Sequence, residues 1–367
     1  MSKTRETVLE IDLQCLQHNF DYIKSKIRPE TKFMAVVKAN AYGSDAVTVA
    51  KFLESKGADY FAVAYASEGK ELRQAGVKTP ILVLHPQRVN FDMLIDNCLE
   101  PALYSGFVLK DFEEVARQKN QKGYPVHLKF NTGLNRLGFN PADLEAVMSL
   151  FSGTVSVKIK SVFSHLAASE DWNEEIFTRK QIENFIAVTK QLTAALPYKP
   201  MFHLLNTSGI LNYPEAQFDL VRSGIGLYGF GNTAAEDAKL CPISTLKTIV
   251  SQLHTIPAGE SVGYNRGYIA EKQQVTATLP IGHADGISRR LGKGVGYVTI
   301  DGQKAPYVGN VCMDMIMVNV TGIDCAEGDE AIVFGKDPSA ETLAQLTGTI
   351  SYEILTKISK RIKRVVI

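Results

Sequence analysis

The chain has 367 residues, 45% hydrophobic and 22% charged, enough to bury a sizeable core and long for one small domain. Its formal net charge of +1 excludes any bulk attraction to nucleic acid or a membrane surface. The five cysteines (Cys15, Cys98, Cys241, Cys312 and Cys325) are odd in number and include no CxxC pair. That argues against a disulfide framework or structural zinc and fits a reducing compartment. Met-Ser-Lys-Thr-Arg-Glu-Thr has no apolar signal core and no run reaches transmembrane length, so a cytoplasmic location is expected.

Residues 8–13 alternate like a strand with one wet face, and an amphipathic stretch over 14–26 follows. A rhythm then begins. Apolar strand candidates fall at 33–37, 60–64, 81–84, 101–104, 125–129, 158–163, 201–205 and 219–221, with helical patterns between them such as 45–56, 66–75 and 174–195. Eight short strands with interleaved helices in about 220 residues predict a (β/α)8 barrel. A doubly wound open sheet is the alternative, but the first βα turn lacks a G-x-G-x-x-G fingerprint. After Gly231 helical periodicity fades into strand-like runs near 244–256, 272–280, 296–300, 305–308, 314–320 and 330–334, with one short helix near 340–346. The expected fold is therefore an α/β TIM-type barrel over residues 1–235 followed by a mostly β domain over 236–367. Residues 1–12 are candidates to pair with that second domain.

In such a barrel the C-terminal ends of the strands build the active site. Lys38 closes the first apolar run, Phe33 to Val37. A lysine there is costly unless paired, neutral or covalently occupied, and desolvation makes it a nucleophile towards aldehydes and a candidate base. A lysine snorkelling to solvent is the plain alternative. Lys129, His165, the pair Asn206-Thr207 and the run Arg222-Ser223-Gly224-Ile225-Gly226 occupy four further strand ends. The last two supply hydroxyls and glycine turns whose amides suit a phosphate. A phosphate site together with a buried lysine is what an aldehyde cofactor with a phosphate handle, pyridoxal 5'-phosphate (PLP), requires.

Val37-Lys38-Ala39-Asn40-Ala41-Tyr42-Gly43, Lys129-Phe130-Asn131-Thr132-Gly133-Leu134-Asn135-Arg136-Leu137-Gly138, Ser164-His165-Leu166-Ala167, Asn206-Thr207-Ser208, the run from Arg222 to Gly229, Val262-Gly263-Tyr264 and Cys312-Met313-Asp314 resemble motifs of the bacterial alanine racemases, in the same order and over nearly the whole chain. The resemblance implies a homodimeric PLP enzyme that interconverts L- and D-alanine and supplies D-alanine for peptidoglycan, with no metal. It implies that Lys38 carries PLP and serves one face of the substrate Cα, while Tyr264 enters from the partner subunit and serves the other; inversion needs both faces. His165 and Arg222 would shift that tyrosine. Arg222 would also face the pyridine nitrogen and leave it unprotonated, since a guanidinium cannot accept a proton, which favours racemisation over transamination. From the residues alone, an Arg222–Asp219 salt bridge and a purely structural Tyr264 in a β turn stay open.

By the same resemblance, Lys129 is carbamylated and orients Arg136 near the substrate carboxylate, with Met313 as a second contact and Asp314 beside it. Tyr42, Thr207, Gly224 and Ile225 match phosphate-binding positions, and Asn206 joins them as a cofactor-binding residue. The chain departs from the family pattern at Ser44-Asp45, at His283, where a tyrosine narrows the substrate entrance, and at Lys360, which stands where a phosphate-binding, gate-forming tyrosine is usual. Lysine can meet phosphate as a point charge but builds no aromatic wall. Alternatives are a broader racemase acting on serine or lysine, a decarboxylase of the same barrel class, and a non-catalytic PLP-binding protein.

Overall fold

The computed structural model describes residues 5–231 and 233–367, so Met1–Thr4 of the N-terminal stretch and Asn232 lie outside the described residues. The chain forms two compact units, one of residues 17–41 and 46–241, the other of residues up to 16, 42–45 and 242–367.

Strand β1 (Val8–Ile11) belongs to the second unit. Strands β2 (Lys32–Val36), β3 (Tyr60–Val63), β4 (Ile81–Val83), β5 (Glu100–Leu103), β6 (Tyr124–Lys129), β7 (Val157–Phe163), β8 (Met201–His203) and β9 (Leu220–Ser223) pair in sequence order and close into a parallel barrel. Closure is made by β2 against β9, where Met34 lies opposite Arg222 and Ala35 opposite Ser223. Runs such as Tyr-Phe-Ala-Val and Ile-Leu-Val are buried throughout, as expected of strands covered on both faces. The covering helices follow local rules. Helix Gly106–Gln118 starts where the Ser105 side chain accepts the Val108 N–H, and it buries Val108, Leu109, Phe112 and Ala116. Phe112 is fully buried against Phe91, so Phe112→Ala would cost about 3–5 kcal/mol.

The second unit carries β10 (Ser244–Ile249), β11 (Gln252–Ile256), β12 (Ser261–Val262), β13 (Tyr268–Ile269), β14 (Gln274–Leu279), β15 (Tyr297–Ile300), β16 (Gln303–Val308), β17 (Ile316–Asn319), β18 (Glu330–Phe334) and β19 (Lys363–Val366). Nine strands form one sheet in the order β11-β14-β17-β16-β15-β18-β10-β1-β19, while β12 and β13 form a separate ribbon. Strand β1 is sandwiched between antiparallel β10 and parallel β19. The single run read at 244–256 is two strands with different partners: Val250 N–H turns to Asp329 O and Ser251 N–H to Thr278 O. Helix Ser351–Thr356 and strand β19 were not expected; Lys363-Arg364-Val365-Val366 has too little apolar alternation to announce itself. Cys98, Cys312 and Cys325 are free thiols, but Cys15 and Cys241 are disulfide-bonded, which counts against the reducing compartment that the cysteine pattern suggested. Odd count and wide spacing exclude a dense framework, not a single bridge.

Candidate active site

Strand β2 hands the chain to Lys38 at the barrel mouth, where the backbone turns left-handed. Ala39 (φ 53°, ψ 49°), Asn40 (φ 53°, ψ 49°), Ala41 (φ 50°, ψ 54°) and Tyr42 (φ 53°) follow one another in a region that costs an L-residue about 1–2 kcal/mol. Such a run persists only where its surroundings over-determine it. Glu68 does much of this: one carboxylate oxygen accepts the Ala39 N–H at 2.7 Å, and the other accepts the N–H groups of Ala64 and Tyr65 at 2.7 and 3.1 Å. The Asn40 side chain adds a bond from the Ala46 N–H at 2.9 Å. Glu68 stands three residues after Tyr65, the spacing of a helix-capping acid. Glu68 was not among the residues singled out from the sequence.

Around Lys38 the barrel mouth is cationic. Lys129 ends β6 and Arg222 lies in β9, both buried. Both lie over the ring of Phe163, at 5.9 and 5.4 Å from its centroid, and that ring stacks on His203 at 4.8 Å. Arg222 gives its N–H groups to neutral acceptors: His203 Nδ1 at 2.6 Å, Ser164 O at 2.7 Å, Leu204 O at 2.9 Å and His165 Nδ1 at 3.2 Å. The Asp219 alternative is not realised. Asp219 stands one residue before β9, where it pairs with Lys199 and accepts the Phe202 N–H.

Burial, reinforced by Arg136, lowers the pKa of Lys38, with Glu68 opposing. Burial followed by Arg136, Arg222 and Lys38 pulls Lys129 down to about 8. His165 is held far below an ordinary imidazole, first by burial and then by Arg222, so its ring is neutral at pH 7. Burial lowers Arg222 as well, yet a guanidinium keeps its proton. The mouth thus combines fixed positive charge with two lysines that shed protons at moderate cost.

The loops after β8 and β9 interlock. Asn206 caps helix Thr207–Asn212, its side-chain oxygen accepting the Gly209 N–H and the Ser169 hydroxyl at 2.9 and 2.8 Å. Thr207 Oγ1 lies 3.1 Å from Ser223 Oγ and accepts the Gly226 N–H at 3.4 Å. A Cβ on Gly226 would sit 2.6 Å from Thr207 Cγ2, so only glycine lets these two turns, with Gly224 and Ile225 between them, approach so closely. The Arg136 loop is pinned by Asn131, whose side chain accepts the Asn135 and Gly133 N–H groups and donates to Asn135 Oδ1. Gly138 (φ 134°) leaves no room for a Cβ against Phe130 and Asn131.

The remaining candidates lie in the other unit. Tyr264 is 75% exposed in a short turn opened by Gly263 (φ 79°), and its carbonyl accepts the Asn310 side chain at 3.1 Å. With Met313, Asp314, Met315 and Met317 it lines an open cavity of about 510 Å³. The Cys312-Met313 segment is held by the His283 and Ala284 N–H groups, which donate to Cys312 O and Met313 O at 2.9 and 3.0 Å. Arg361 bridges buried Asp285 and Asp314. Tyr42 is buried with its ring 5.9 Å from that of Tyr352, an aromatic neighbour the sequence reading missed. Lys360 is exposed, and its neighbour Arg361 makes the ion pairs. The structure thus gathers Lys38, Lys129, His165, Arg222, Asn206, Thr207, Gly224 and Ile225 with the Arg136 loop in one unit, and Tyr264, Met313 and Asp314 in the other.

A half-buried lysine in a cationic barrel mouth defines an enzyme class built to hold an anionic cofactor and an amino-acid substrate. Two family models divide the chain, the alanine racemase N-terminal domain over residues 11–231 and the C-terminal domain over residues 243–366. The alanine racemase of Carboxydothermus hydrogenoformans is 38% identical, covering 97% of this chain and 98% of that protein. The crystal structure of alanine racemase from Clostridium difficile 630 superposes with a TM-score of 0.94 at 34% identity, covering 100% of this chain and 97% of the other. That of Bartonella henselae alanine racemase, with covalently bound pyridoxal phosphate, gives 0.88 at 31%, covering 99% and 100%. The chain belongs to the alanine racemase family.

Proposed function

We propose that the protein is a PLP-dependent alanine racemase in which Lys38 and Tyr264 move the proton on opposite faces of the substrate Cα. The observation that carries this reading is the barrel mouth: a lysine depressed by burial, set among Arg136, Lys129 and Arg222. Such a field selects an anion, and a lysine made partly neutral is a nucleophile. The residues fit PLP. The glycine at 226 lets the turn after β9 pack directly on Thr207, which brings hydroxyls and backbone amides of both turns together as a phosphate requires. Lys38 would hold the cofactor covalently, with Thr207, Gly224, Ile225 and Tyr42 around the phosphate and Asn206 fixing the turn that presents Thr207.

When bound, PLP supplies the electron sink that acidifies the Cα–H of an attached amino acid. Arg222 faces the ring nitrogen in this reading. With its donors already directed at His203, His165 and two carbonyls, it offers positive charge but no proton, so the sink stays weak and Cα is reprotonated rather than transaminated. Arg136 and Met313 hold the substrate carboxylate. Lys129, neutral often enough to capture carbon dioxide, becomes a carbamate anion that orients Arg136. Tyr264 is contributed by a second copy of the chain, which makes the active enzyme a homodimer with the mostly β unit supplying the second catalytic residue. A cytoplasmic location is part of the proposal and is checked by fractionation.

Chiral chromatography of L-alanine incubated with the protein and PLP tests the activity. D-alanine is expected from the wild type and none from Lys38→Ala; a yellow, PLP-loaded protein that forms no D-alanine would overturn the reading. Parallel rates with serine and lysine test scope, because His283 and Lys360 replace residues expected to narrow the entrance.

A further inference from the structure

The interior of a parallel barrel is normally filled by branched apolar side chains. Here a polar file runs through it. Arg222 Nη1 lies 2.6 Å from His203 Nδ1, His203 Nε2 lies 2.9 Å from Ser161 Oγ, Ser161 Oγ lies 2.5 Å from His127 Nδ1, and His127 Nε2 lies 2.7 Å from Glu100 Oε2. His127, Ser161 and His203 are fully buried, and Arg222 and Glu100 nearly so. Strand register puts them in line: His127 sits opposite Ser161 across β6 and β7, and Phe163, two residues on, sits opposite His203.

The donors leave one consistent direction. Arginine only donates, so His203 Nδ1 must accept, and its proton sits on Nε2. That N–H gives to Ser161 Oγ, whose own proton then goes to His127 Nδ1. The remaining His127 proton lies on Nε2 and meets the Glu100 carboxylate, which also takes a hydrogen bond from Tyr60. Each heteroatom along the file is thereby matched, and a fully satisfied buried network specifies one arrangement. We propose that Glu100, His127, Ser161 and His203 form a positioning relay that fixes the orientation of Arg222 and, through it, the weak electron sink on which racemisation depends. The relay places its one carboxylate at the far end, so that Arg222 meets a neutral imidazole that orients it without neutralising it. This inference rests on the racemase reading and assigns further residues to the same site.

The test uses ¹⁵N-labelled holoenzyme. Long-range ¹H–¹⁵N spectra should show His127 and His203 both neutral and protonated on Nε2. In Ser161→Ala the Nδ1 signal of His127 and the Nε2 signal of His203 should both move, kcat for L-alanine should fall about tenfold with KM changed less than about twofold, and Ser161→Thr should restore both readouts. Glu100→Gln, a near-isosteric change, is the second variant should Ser161→Ala not fold, and its effect should propagate to the His203 signals. A doubly protonated His127 in the wild type, or variants that leave the His203 signals and kcat unmoved, would overturn the relay while alanine racemisation stood. Absence of wild-type racemisation would remove the reading beneath it.

Discussion

Arg222 is 4% exposed and directs its N–H groups at four neutral acceptors, whereas Tyr264 is 75% exposed on a turn flanked by positive-φ residues, Gly263 before it and Asn265 and Arg266 after it. The first is a charge placed in advance, in low dielectric, by the inside of a barrel; such preorganised groups act without reorganising at the moment of reaction. The second is a phenol presented at a surface. A phenol serves as a base only once it is ionised, which positive charge brought near it favours. The contrast teaches that one half of the proposed site is complete within the barrel unit, while the other gains its chemistry only in company.

The hardest blow to the barrel half is Lys38→Ala. It removes the nucleophile from an otherwise intact cationic mouth, and turnover should fall by at least about 1,000-fold, with loss of covalently bound chromophore from the absorption spectrum. Tyr264→Phe strikes the exposed half. A loss of about 10²–10⁴ is expected in the direction that needs the phenol, with less loss in the other, read as unequal Cα–H exchange from L- and D-alanine. Equal loss from both enantiomers would break the two-face assignment. Because Tyr264 is solvent-exposed, its folded stability should stay within about 0.5 kcal/mol of the wild type.

The two halves also differed in how legibly the sequence announced them. Barrel strands are short apolar runs between turns, so β2 to β9 were found to within a residue or two, and Lys129 and His165 were recognisable because they break such runs at the mouth. What escaped was set by three-dimensional pairing. In Ala39-Asn40-Ala41-Tyr42 only Asn40 favours a left-handed turn; Glu68, a helix and a strand later, holds the run there. His203 and Ser161 are polar residues inside apolar strands, and only register makes them neighbours. The 244–256 run looked continuous because a change of pairing partner leaves no mark on composition. Tyr264 had no signal of its own beyond the resemblance, since an exposed aromatic in a turn is ordinary.

Glu68→Gln would sharpen the comparison by loosening the barrel mouth without touching its cations. An amide keeps one acceptor but turns a donor towards N–H groups that now share a carboxylate, at a cost of about 1–3 kcal/mol in unfolding free energy. Losing the carboxylate also removes the one influence that raises the Lys38 pKa, so its amine should titrate lower still, measurable as the pH dependence of labelling by an amine-reactive probe in the apoprotein. Equal stability and unchanged labelling would show that the left-handed turn is held by something other than Glu68.

The smallest effect concerns Lys129, and its sign distinguishes a free amine from a captured one. In the folded protein the pKa is about 8, against 10.5 for an unperturbed lysine, so between those values the unfolded chain binds more protons than the folded one. Stability should therefore rise with pH across that window, by about 1–2 kcal/mol after allowance for solvent screening. Lys38 is shifted the same way and adds to the rise, so the quantity to read is the difference between wild type and Lys129→Met, which removes the Lys129 share alone. The comparison belongs in carbon-dioxide-free buffer. With bicarbonate present, a carbamate on Lys129 carries negative charge beside Arg136 and Arg222, the amine no longer titrates, and the difference between the two proteins should flatten. A carbamate ¹³C resonance from ¹³C-bicarbonate, absent in Lys129→Met, would accompany it. A rise that persists unchanged in bicarbonate would leave Lys129 a free amine, and Arg136 would then need another anion to aim it at a substrate carboxylate.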